Sequence, residues 1–312
     1  MKEQVSFVIP VFNERENIRN IFLKIEENIN KAGEIDYEII FVDDGSEDGS
    51  WDVIKTICEE NRNIRGIRFS RNFGKENAIM AGLENSKGDA VIVMDADGQH
   101  PPEKIPEMIK LWKREKAEIV ECVKLKREKE NLFRRLGAIV FYRILETLAG
   151  FKLEGKSDYK LLDRKVVDCL LRLKERNLFF RGITEWTGFK KFEIYFIPPE
   201  RKQGKSRWSF FKIFRYAINN IISFSSIPLH FVTVAGIVFL FFSIFLGIQT
   251  IFMKITGKAV SGFTTVILLL LIIGSLLMIS LGIIGEYIAK IYEEIKSRPR
   301  YVIKEKLNLE DE

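Results

Sequence analysis

Residues 90–97 have the sequence Ala-Val-Ile-Val-Met-Asp-Ala-Asp, five apolar side chains followed at once by two carboxylates. An apolar run of this length before a polar turn is typical of a strand that is buried on both faces of a sheet. Asp95 and Asp97 then lie at the carboxyl end of that strand, where side chains two positions apart can address one hard cation. By itself a D-x-D triplet is a weak signal, so its surroundings decide its meaning.

Three further apolar runs precede this strand, and segments with helical periodicity separate them. The predicted strands cover residues 5–10, 37–42 and 64–69, and the predicted helices cover residues 14–32, 51–60 and 75–86. This alternation predicts an α/β domain with a mainly parallel sheet. Ligands of such sheets bind at the carboxyl ends of the strands. The polar motifs of the chain follow Ile9, Val42, Phe69 and Met94, at those ends.

The pattern is more varied after residue 106. Residues 108–116 and 136–149 are expected to be helical, and residues 119–123 are expected to form a strand. Residues 161–173 are also predicted to form a helix, with Asp163 as an N-cap for the apolar run that follows it. Residues 209–223 combine a basic and an apolar face, which is typical of a helix that lies in a membrane interface.

Two long segments, residues 231–253 and 259–285, contain no charged side chain. Each exceeds the roughly 20 residues that a helix needs to cross a bilayer. Basic residues flank the pair on both sides, and no apolar leader precedes the first strand, so the large N-terminal part and both termini are expected in the cytoplasm of a multi-pass cell-membrane protein. The predicted organisation is a domain at 1–208, a juxtamembrane helix at 209–228, two spans at 229–289 and a cytoplasmic tail at 290–312.

Composition argues against several classes of protein. The chain has three cysteines in no C-x-x-C pair and two histidines, so neither a disulfide framework nor a cysteine or histidine zinc site is expected. Its formal net charge of +6 would suit nucleic acid. The basic residues cluster beside the predicted spans, however, and anionic membrane lipids are therefore the simpler partner.

Four motifs together resemble glycosyltransferase family 2, in the order and approximate spacing of its GT-A fold. They are Ile9-Pro10-Val11-Phe12-Asn13-Glu14, Val42-Asp43-Asp44-Gly45-Ser46, Arg71-Asn72-Phe73-Gly74-Lys75 and Asp95-Ala96-Asp97-Gly98-Gln99-His100-Pro101-Pro102-Glu103. Within the family the chain is most similar to the polyprenyl-phosphate glycosyltransferases. The resemblance implies a Rossmann-like GT-A catalytic domain, followed by interfacial helices and two transmembrane helices.

The resemblance also implies which residues meet the donor, a nucleotide-diphosphate sugar. Asp95, Asp97 and Gln99 would hold Mg²⁺ or Mn²⁺. The predicted donor-binding set is Pro10, Phe12, Glu14, Val42, Asp44, Lys75, Asp95, Ala96, Asp97 and Arg201. Family members commonly have tyrosine where Phe12 stands, so only stacking is expected there. For Arg71 and Lys75, a solvated loop position and a diphosphate-binding or structural role both remain open.

The acceptor implied by the resemblance is an undecaprenyl or dolichyl phosphate. Arginines suit bidentate contact with phosphate oxygens. Those near the predicted membrane segments form the predicted lipid-phosphate site, for which a solvated charged face is the alternative: Arg127, Arg134, Arg135, Arg201 and Arg207. A homo-oligomer remains open.

The predicted catalytic set is Asp95, Asp97 and Asp158, with Asp158 contacting the sugar or acting as a base. A phosphate monoester has its second pKa near ~6 and is already anionic at neutral pH. We therefore expect an inverting transfer that depends on positioning and charge neutralisation more than on a base. UDP-glucose is the favoured donor, with GDP-mannose open. The rival interpretations are a processive polysaccharide synthase and a non-catalytic membrane scaffold.

Overall fold

The computed structural model describes residues 3–125, 155–173, 175, 179–199, 227–257 and 262–309. Strands and helices alternate along its first part: β1 (Gln4–Val11), α1 (Arg15–Lys31), β2 (Asp36–Asp43), α2 (Ser50–Glu60), β3 (Ile64–Phe69), α3 (Lys75–Glu84), β4 (Ala90–Val93), α4 (Ile105–Glu115) and β5 (Ile119–Lys124). The later elements are β6 (Lys156–Asp163), α5 (Arg164–Arg172), α6 (Phe180–Trp186), β7 (Lys191–Phe196), α7 (Ile227–Ile255), α8 (Phe263–Ile295) and β8 (Ile303–Leu307). The chain divides into two compact units, one with the sheet and one with α7 and α8.

The first unit is built on a mixed sheet with the strand order β7-β5-β6-β4-β1-β2-β3-β8. Its centre, β4-β1-β2-β3, is parallel, whereas β6 runs antiparallel to β4 and β8 runs antiparallel to β3. The predicted α/β fold with a mainly parallel sheet is confirmed. Because β1 to β4 are parallel, the segments that follow them meet at one edge of the sheet.

Helices cover both faces of the sheet, which explains why its strands are apolar without alternation. Successive residues of β2 show this arrangement. Phe41 packs in the cluster that contains the apolar faces of α1, α2 and α4. Val42, the next residue, packs in a second cluster with Ala78 and Ala81 of α3. Both β2 side chains are fully buried.

The predicted helix at residues 161–173 is wrong in its first part. Residues 156–163 form β6, which lies between β4 and β5, and helix α5 begins only at Arg164. Leu161 pairs with Ile92 on one side and with Val120 on the other, so burial between two strands overrides the helical spacing. Asp163 is confirmed as the N-cap of α5, because its carboxylate accepts the Lys165 amide hydrogen at 3.0 Å.

The end of the chain is not the plain tail that the sequence suggested. Helix α8 continues to Ile295, and residues 303–307 return as β8 at the edge of the sheet, paired with β3. The Asn308 amide, just after β8, donates hydrogen bonds of 2.8 Å to the carbonyls of Cys58 and Ile64. The last described residues therefore belong to the same unit as β1.

The second unit contains two helices that are long and apolar enough to cross a membrane. The qualifying segments are Leu229–Ile255 and Leu269–Ile295, with mean hydropathies of 2.6 and 2.3. Neither qualifying segment is buried by protein. The two helices pack against each other, and their outward apolar side chains remain exposed. Exposed apolar surface on this scale marks an interaction with a membrane or another protein.

Candidate donor-binding site

A cavity of about 300 Å³ lies at the carboxyl ends of β1 to β4. Its lining comprises Pro10, Val11, Phe12, Glu14, Asp44, Asn72, Gly74, Lys75, Asp95, Ala96 and Asp97. The structure thus brings together eight of the predicted donor-binding residues, drawn from four separate segments of the chain. Val42 is the exception among the described ones, since its side chain is fully buried in the cluster under α3. The predicted Arg201, Arg127, Arg134, Arg135 and Arg207 lie outside the described residues.

The Asp95–Gln99 turn is held in shape by its own side chains. The Asp97 carboxylate accepts the Gln99 amide hydrogen at 3.0 Å, and His100 Nδ1 accepts the Asp95 amide hydrogen at 2.9 Å. Gly98 between them has φ +72°, a left-handed conformation that favours glycine. The turn is therefore set before any ligand binds.

His100 has a role that the sequence did not reveal. Burial lowers its pKa to about 4, so the ring is neutral at physiological pH. Because Nδ1 accepts a hydrogen bond, the ring proton is on Nε2. The imidazole stacks on Tyr159, with ring centroids 5.0 Å apart, and the Tyr159 hydroxyl donates to the Pro101 carbonyl. His100 therefore supports the acidic turn, and its position inside the D-G-Q-H motif was the only available signal.

The donor set fits a hard divalent cation that is shared with a substrate. Asp95 and Asp97 line the same cavity, and Asp95 Oδ1 is buried with the Lys75 ammonium, at 2.6 Å, as its charged neighbour. Within the described ranges, no cluster of three or more histidine, cysteine or acidic residues could hold a metal ion alone. Mg²⁺ commonly uses one or two carboxylates and takes its remaining ligands from phosphates and water. Gln99 is half-buried and does not line the cavity.

Lys75, the first residue of α3, connects two carboxylates beneath the cavity. Its ammonium lies 2.6 Å from Asp95 Oδ1 and 2.5 Å from Asp158 Oδ2. Burial acts to lower the pKa of Lys75, but the charges of Asp95 and Asp158 outweigh it and raise the pKa above its usual value. Lys75 therefore carries a full positive charge at the wall of the cavity. The solvated-loop alternative for this residue is wrong.

Asp158 is almost completely buried and is held by two cations. Arg181 contacts both carboxylate oxygens, with Nε 2.7 Å from Oδ1 and an NH₂ group 2.9 Å from Oδ2. Burial favours a raised pKa, but Lys75 and Arg181 together hold the pKa of Asp158 well below its ordinary value. A carboxylate with such a low pKa is a poor general base at neutral pH. Both of its carboxylate oxygens are in contact with these two cations.

Arg181 reaches Asp158 because helix α6 is fixed to the sheet by buried polar contacts. Lys160 of β6 is fully buried, with its ammonium 2.9 Å from Glu121 and donating to Thr184 of α6 at 2.6 Å. At the start of α6, Glu76 accepts the amide hydrogen of Phe180 at 3.0 Å. Burial and the nearby Asp158 charge raise the pKa of Glu76 to about 7. Buried ionic groups of this kind are destabilising unless every partner is present.

Asp44 joins the loop after β2 to the loop after β3. Its carboxylate accepts the amide hydrogens of Phe73 at 2.6 Å and Gly74 at 2.9 Å. The two loops touch at Gly45, which has φ +72°, and a Cβ there would lie 2.5 Å from the Arg71 carbonyl carbon. Burial raises the pKa of Asp44 to about 6, and its hydrogen bonds oppose this effect. Asp44 therefore both lines the cavity and braces its wall.

Comparison with known proteins agrees with this arrangement. The family model for glycosyl transferase family 2 matches residues 6–171. A putative glycosyltransferase of Bacillus subtilis, CsbB, is 39% identical over 304 residues, which cover 96% of this chain and 91% of that protein. The bactoprenol glucosyl transferase of Shigella phage SfX is 36% identical over 303 residues, covering 96% and 99%.

Among solved structures, glucosyl-3-phosphoglycerate synthase from Mycobacterium tuberculosis in complex with UDP has 18% sequence identity and a TM-score of 0.49. The alignment covers 71% of this chain and 79% of that one. At this TM-score and identity, the similarity carries no inference about donor or metal.

Proposed function

Because the chain belongs to glycosyl transferase family 2, we propose that it transfers one sugar from a nucleotide-diphosphate sugar to a polyprenyl phosphate. The donor part of this proposal is supported by one observation: Asp95, Asp97, Lys75, Phe12 and Asp44 line the same cavity. Carboxylates for a cation, a fixed ammonium and an aromatic face are the groups that a nucleotide diphosphate requires.

The acceptor half of the proposal is supported by the relatives and by the membrane-compatible helices. The bactoprenol glucosyl transferases match this chain over 96% of its length. Helices α7 and α8 are long and apolar enough to cross a bilayer, where a polyprenyl chain resides. UDP-glucose is accordingly the favoured donor, and GDP-mannose is the alternative. The product would be a polyprenyl-phosphate-linked sugar, formed on the cytoplasmic face.

Asp95 and Asp97 would hold the divalent cation, Mg²⁺ or Mn²⁺, with the amide of Gln99 as a further donor on the same turn. The chemistry that such a cation would supply is an offset of the negative charge on the departing nucleotide. The neighbouring Lys75 places a second positive charge on the same wall. Together these groups stabilise the leaving group as its bond to the sugar breaks.

The attacking group needs little help from a base. An oxygen of the lipid phosphate forms the new bond to the anomeric carbon while the nucleoside diphosphate leaves from the opposite side, which inverts the configuration. The phosphate monoester is already anionic near pH 7, so no proton must be removed. Asp158 forms ion pairs with Lys75 and Arg181, which keep its carboxylate ionised. Its part in the reaction would be to orient these two cations. The arginines expected to hold the lipid phosphate are Arg127, Arg134, Arg135, Arg201 and Arg207.

The test uses the full-length protein in detergent with radiolabelled UDP-glucose, undecaprenyl phosphate and Mg²⁺. The expected product is organic-extractable and labile to mild acid, and its formation should stop with EDTA. Asp95→Asn and Asp97→Asn should each lower turnover at least ~100-fold by removing a cation ligand. Lys110→Ala, a change at an exposed position of α4 that does not line the cavity, is the control and should leave turnover intact.

The alternatives give different outcomes in the same assay. A polymeric product would indicate a processive synthase, and no product with any nucleotide sugar of a panel would indicate a non-catalytic scaffold. Turnover that survives EDTA and both Asn substitutions would contradict the cation site. Replacing UDP-glucose by GDP-mannose in parallel reactions decides the donor.

A further inference from the structure

A second cavity of about 340 Å³ adjoins the donor-binding cavity. The two share Phe12 and Asn72 in their linings. The second cavity is formed by the loops after β1, β2 and β3, and by one residue from the far end of the chain. That residue is Lys304 of β8. No sequence motif pointed to it.

The position of Lys304 follows from an irregularity in the pairing of β8 with β3. Arg68 pairs with Glu305 and Phe69 pairs with Ile303, so Lys304 has no partner residue in β3. An unpaired residue of this kind, a β-bulge, redirects a side chain and is frequent next to active sites. Lys304 is exposed, and its ammonium makes no ion pair with any residue that the structure describes.

The strand that carries Lys304 is firmly attached. Trp51 of α2 donates its indole hydrogen to Glu305 at 3.0 Å. Tyr301, just before β8, stacks on Phe69 with ring centroids 4.7 Å apart and an interplanar angle of 17°. Lys304 is therefore presented by a fixed backbone, and only its own side chain must become ordered when a ligand binds.

The second cavity is positively charged. Its charged lining residues are Arg68, Arg71, Lys304 and Glu47. Arg68 is 3.4 Å from the buried Asp43, and the Arg71 guanidinium lies over the Phe73 ring at 4.6 Å. Arg68 is thus partly neutralised by Asp43, so Arg71 and Lys304, which are both exposed, are the cations of the described lining that a ligand can reach.

The direction of the sheet indicates which part of the donor reaches this cavity. A diphosphate bound at Asp95 and Asp97 lies at the end of β4, and β1, β2, β3 and β8 follow in order toward one edge. Asp158 of β6, which the Lys75 ammonium contacts, lies on the other side of β4, and the sugar would lie toward it. The nucleoside must then extend over Phe12 toward β3. The first cavity, at about 300 Å³, is at the lower limit for a ligand site, so a nucleotide sugar requires the adjoining space.

We propose that Lys304, presented by the bulge in β8 at the edge of the second cavity, binds the nucleoside part of the donor and sets the affinity for it. This inference rests on the proposed function of the neighbouring site. The ammonium would donate to an oxygen of the base or ribose, and Phe12 would provide the aromatic contact between the two cavities. A residue that follows both membrane-compatible helices in the sequence would thereby help to select the donor.

The test compares Lys304→Ala with Lys306→Ala in the full-length protein. Lys306 lies on the same strand, is exposed, pairs regularly with Ile67 and lines neither cavity. Binding of UDP, GDP and inorganic pyrophosphate is measured by calorimetry in Mg²⁺. Lys304→Ala should weaken the binding of the nucleotide that the wild type prefers about 10-fold, the loss expected for a hydrogen bond to a charged group. Pyrophosphate binding should not change.

Turnover provides an independent readout. Lys304→Ala should raise KM for the sugar donor about 10-fold and leave kcat at saturating donor unchanged, whereas Lys306→Ala should alter neither. Equal nucleotide affinities for the two variants would overturn the inference, as would equal losses of UDP and pyrophosphate binding in Lys304→Ala. A wild type that binds neither UDP nor GDP would overturn the proposed function as well.

Discussion

Replacing Asp158 by asparagine removes one charge from the Lys75–Asp158–Arg181 cluster and keeps the shape of the side chain. Three contacts are affected: Lys75 at 2.5 Å and the two Arg181 nitrogens at 2.7 and 2.9 Å. Each hydrogen bond to a charged group contributes about 1.5–3 kcal/mol. Asparagine retains one acceptor oxygen, and both cations have side chains about a third exposed, at 38% and 36%, so solvent screens part of the loss. We expect the interactions within this cluster to weaken by a net free energy of roughly 2–3 kcal/mol.

That loss should appear as misplacement of Lys75 and Arg181, and not as the loss of a base. We expect Asp158→Asn to lower kcat/KM about 30–100-fold, since 1.4 kcal/mol corresponds to a factor of ten. The shape of the pH–rate profile between pH 6 and 9 should not change. The effect of the double variant Asp158→Asn/Arg181→Ala on the activation free energy, calculated from kcat/KM, should be about 1–3 kcal/mol smaller than the sum of the two single effects. The reason is that the two residues form one contact.

The assay is turnover of purified full-length protein with labelled donor and polyprenyl phosphate, together with calorimetric donor binding and a thermal melt of each variant. The pKa of Asp158 is depressed in the folded state. Its contribution to stability is therefore present above the unfolded-state pKa near 3.8 and is lost as the pH falls through the folded-state pKa. The stability of the wild type should exceed that of Asp158→Asn by a constant margin from pH 5 to 8. A loss of turnover above ~10⁴-fold, with normal donor affinity and normal stability, would refute the positioning role and indicate a general base.

Two further predictions concern stability. Burial raises the pKa of Asp44 from an ordinary value of 3.8 to about 6 in the folded state. Its contribution to stability is therefore fully present below the unfolded-state pKa and is lost as the pH rises through about 6. Relative to Asp44→Asn, the wild type should lose about 2 kcal/mol of unfolding free energy between pH 4 and 7, at 1.36 kcal/mol per pKa unit. Thermal melts of both proteins across that range measure this difference, and a difference that does not vary with pH contradicts the buried carboxyl. Asn308→Ala removes hydrogen bonds to the Cys58 and Ile64 carbonyls at a position with φ +55°, so we expect a loss of about 2 kcal/mol and a melting temperature lower by roughly 4–8 °C. Lys306→Ala is the matched control, and an unchanged melt of Asn308→Ala would show that the end of the chain is not anchored as described.

The order of the central strands and helices could be predicted from the sequence because each apolar run is short and each helix has a clear period. The strand predicted at residues 64–69 begins and ends at the same residues in the structure. The error at Leu161 and Leu162 has a physical cause, because the same two leucines suit the apolar face of a helix or a strand buried between β4 and β5. Only the pairing partners decide between these, and pairing is a tertiary property.

The site was predicted where the chemistry is local to one motif and missed where distant segments meet. Asp95 and Asp97 could be recognised because they end one buried strand. The partnership of Asp158 with Arg181 depends on how α6 docks on β6, and the sequence spacing carries no sign of it. Lys304 was missed for the same reason, since a five-residue strand near the end of the chain has no distinguishing pattern.

Strand β8 also bears on how the protein is made. Asn308 bonds to Cys58, a residue 250 positions earlier in the chain, so β3 stays an open edge of the sheet while everything between them is synthesised. An unpaired edge strand is a template for pairing with other chains. At an elongation rate of about 5–20 residues per second, this interval lasts on the order of 10–50 seconds. During that time α7 and α8 leave the ribosome and must find their own environment. The sheet is therefore completed last, because β8 can pair with β3 only after both apolar helices have been made.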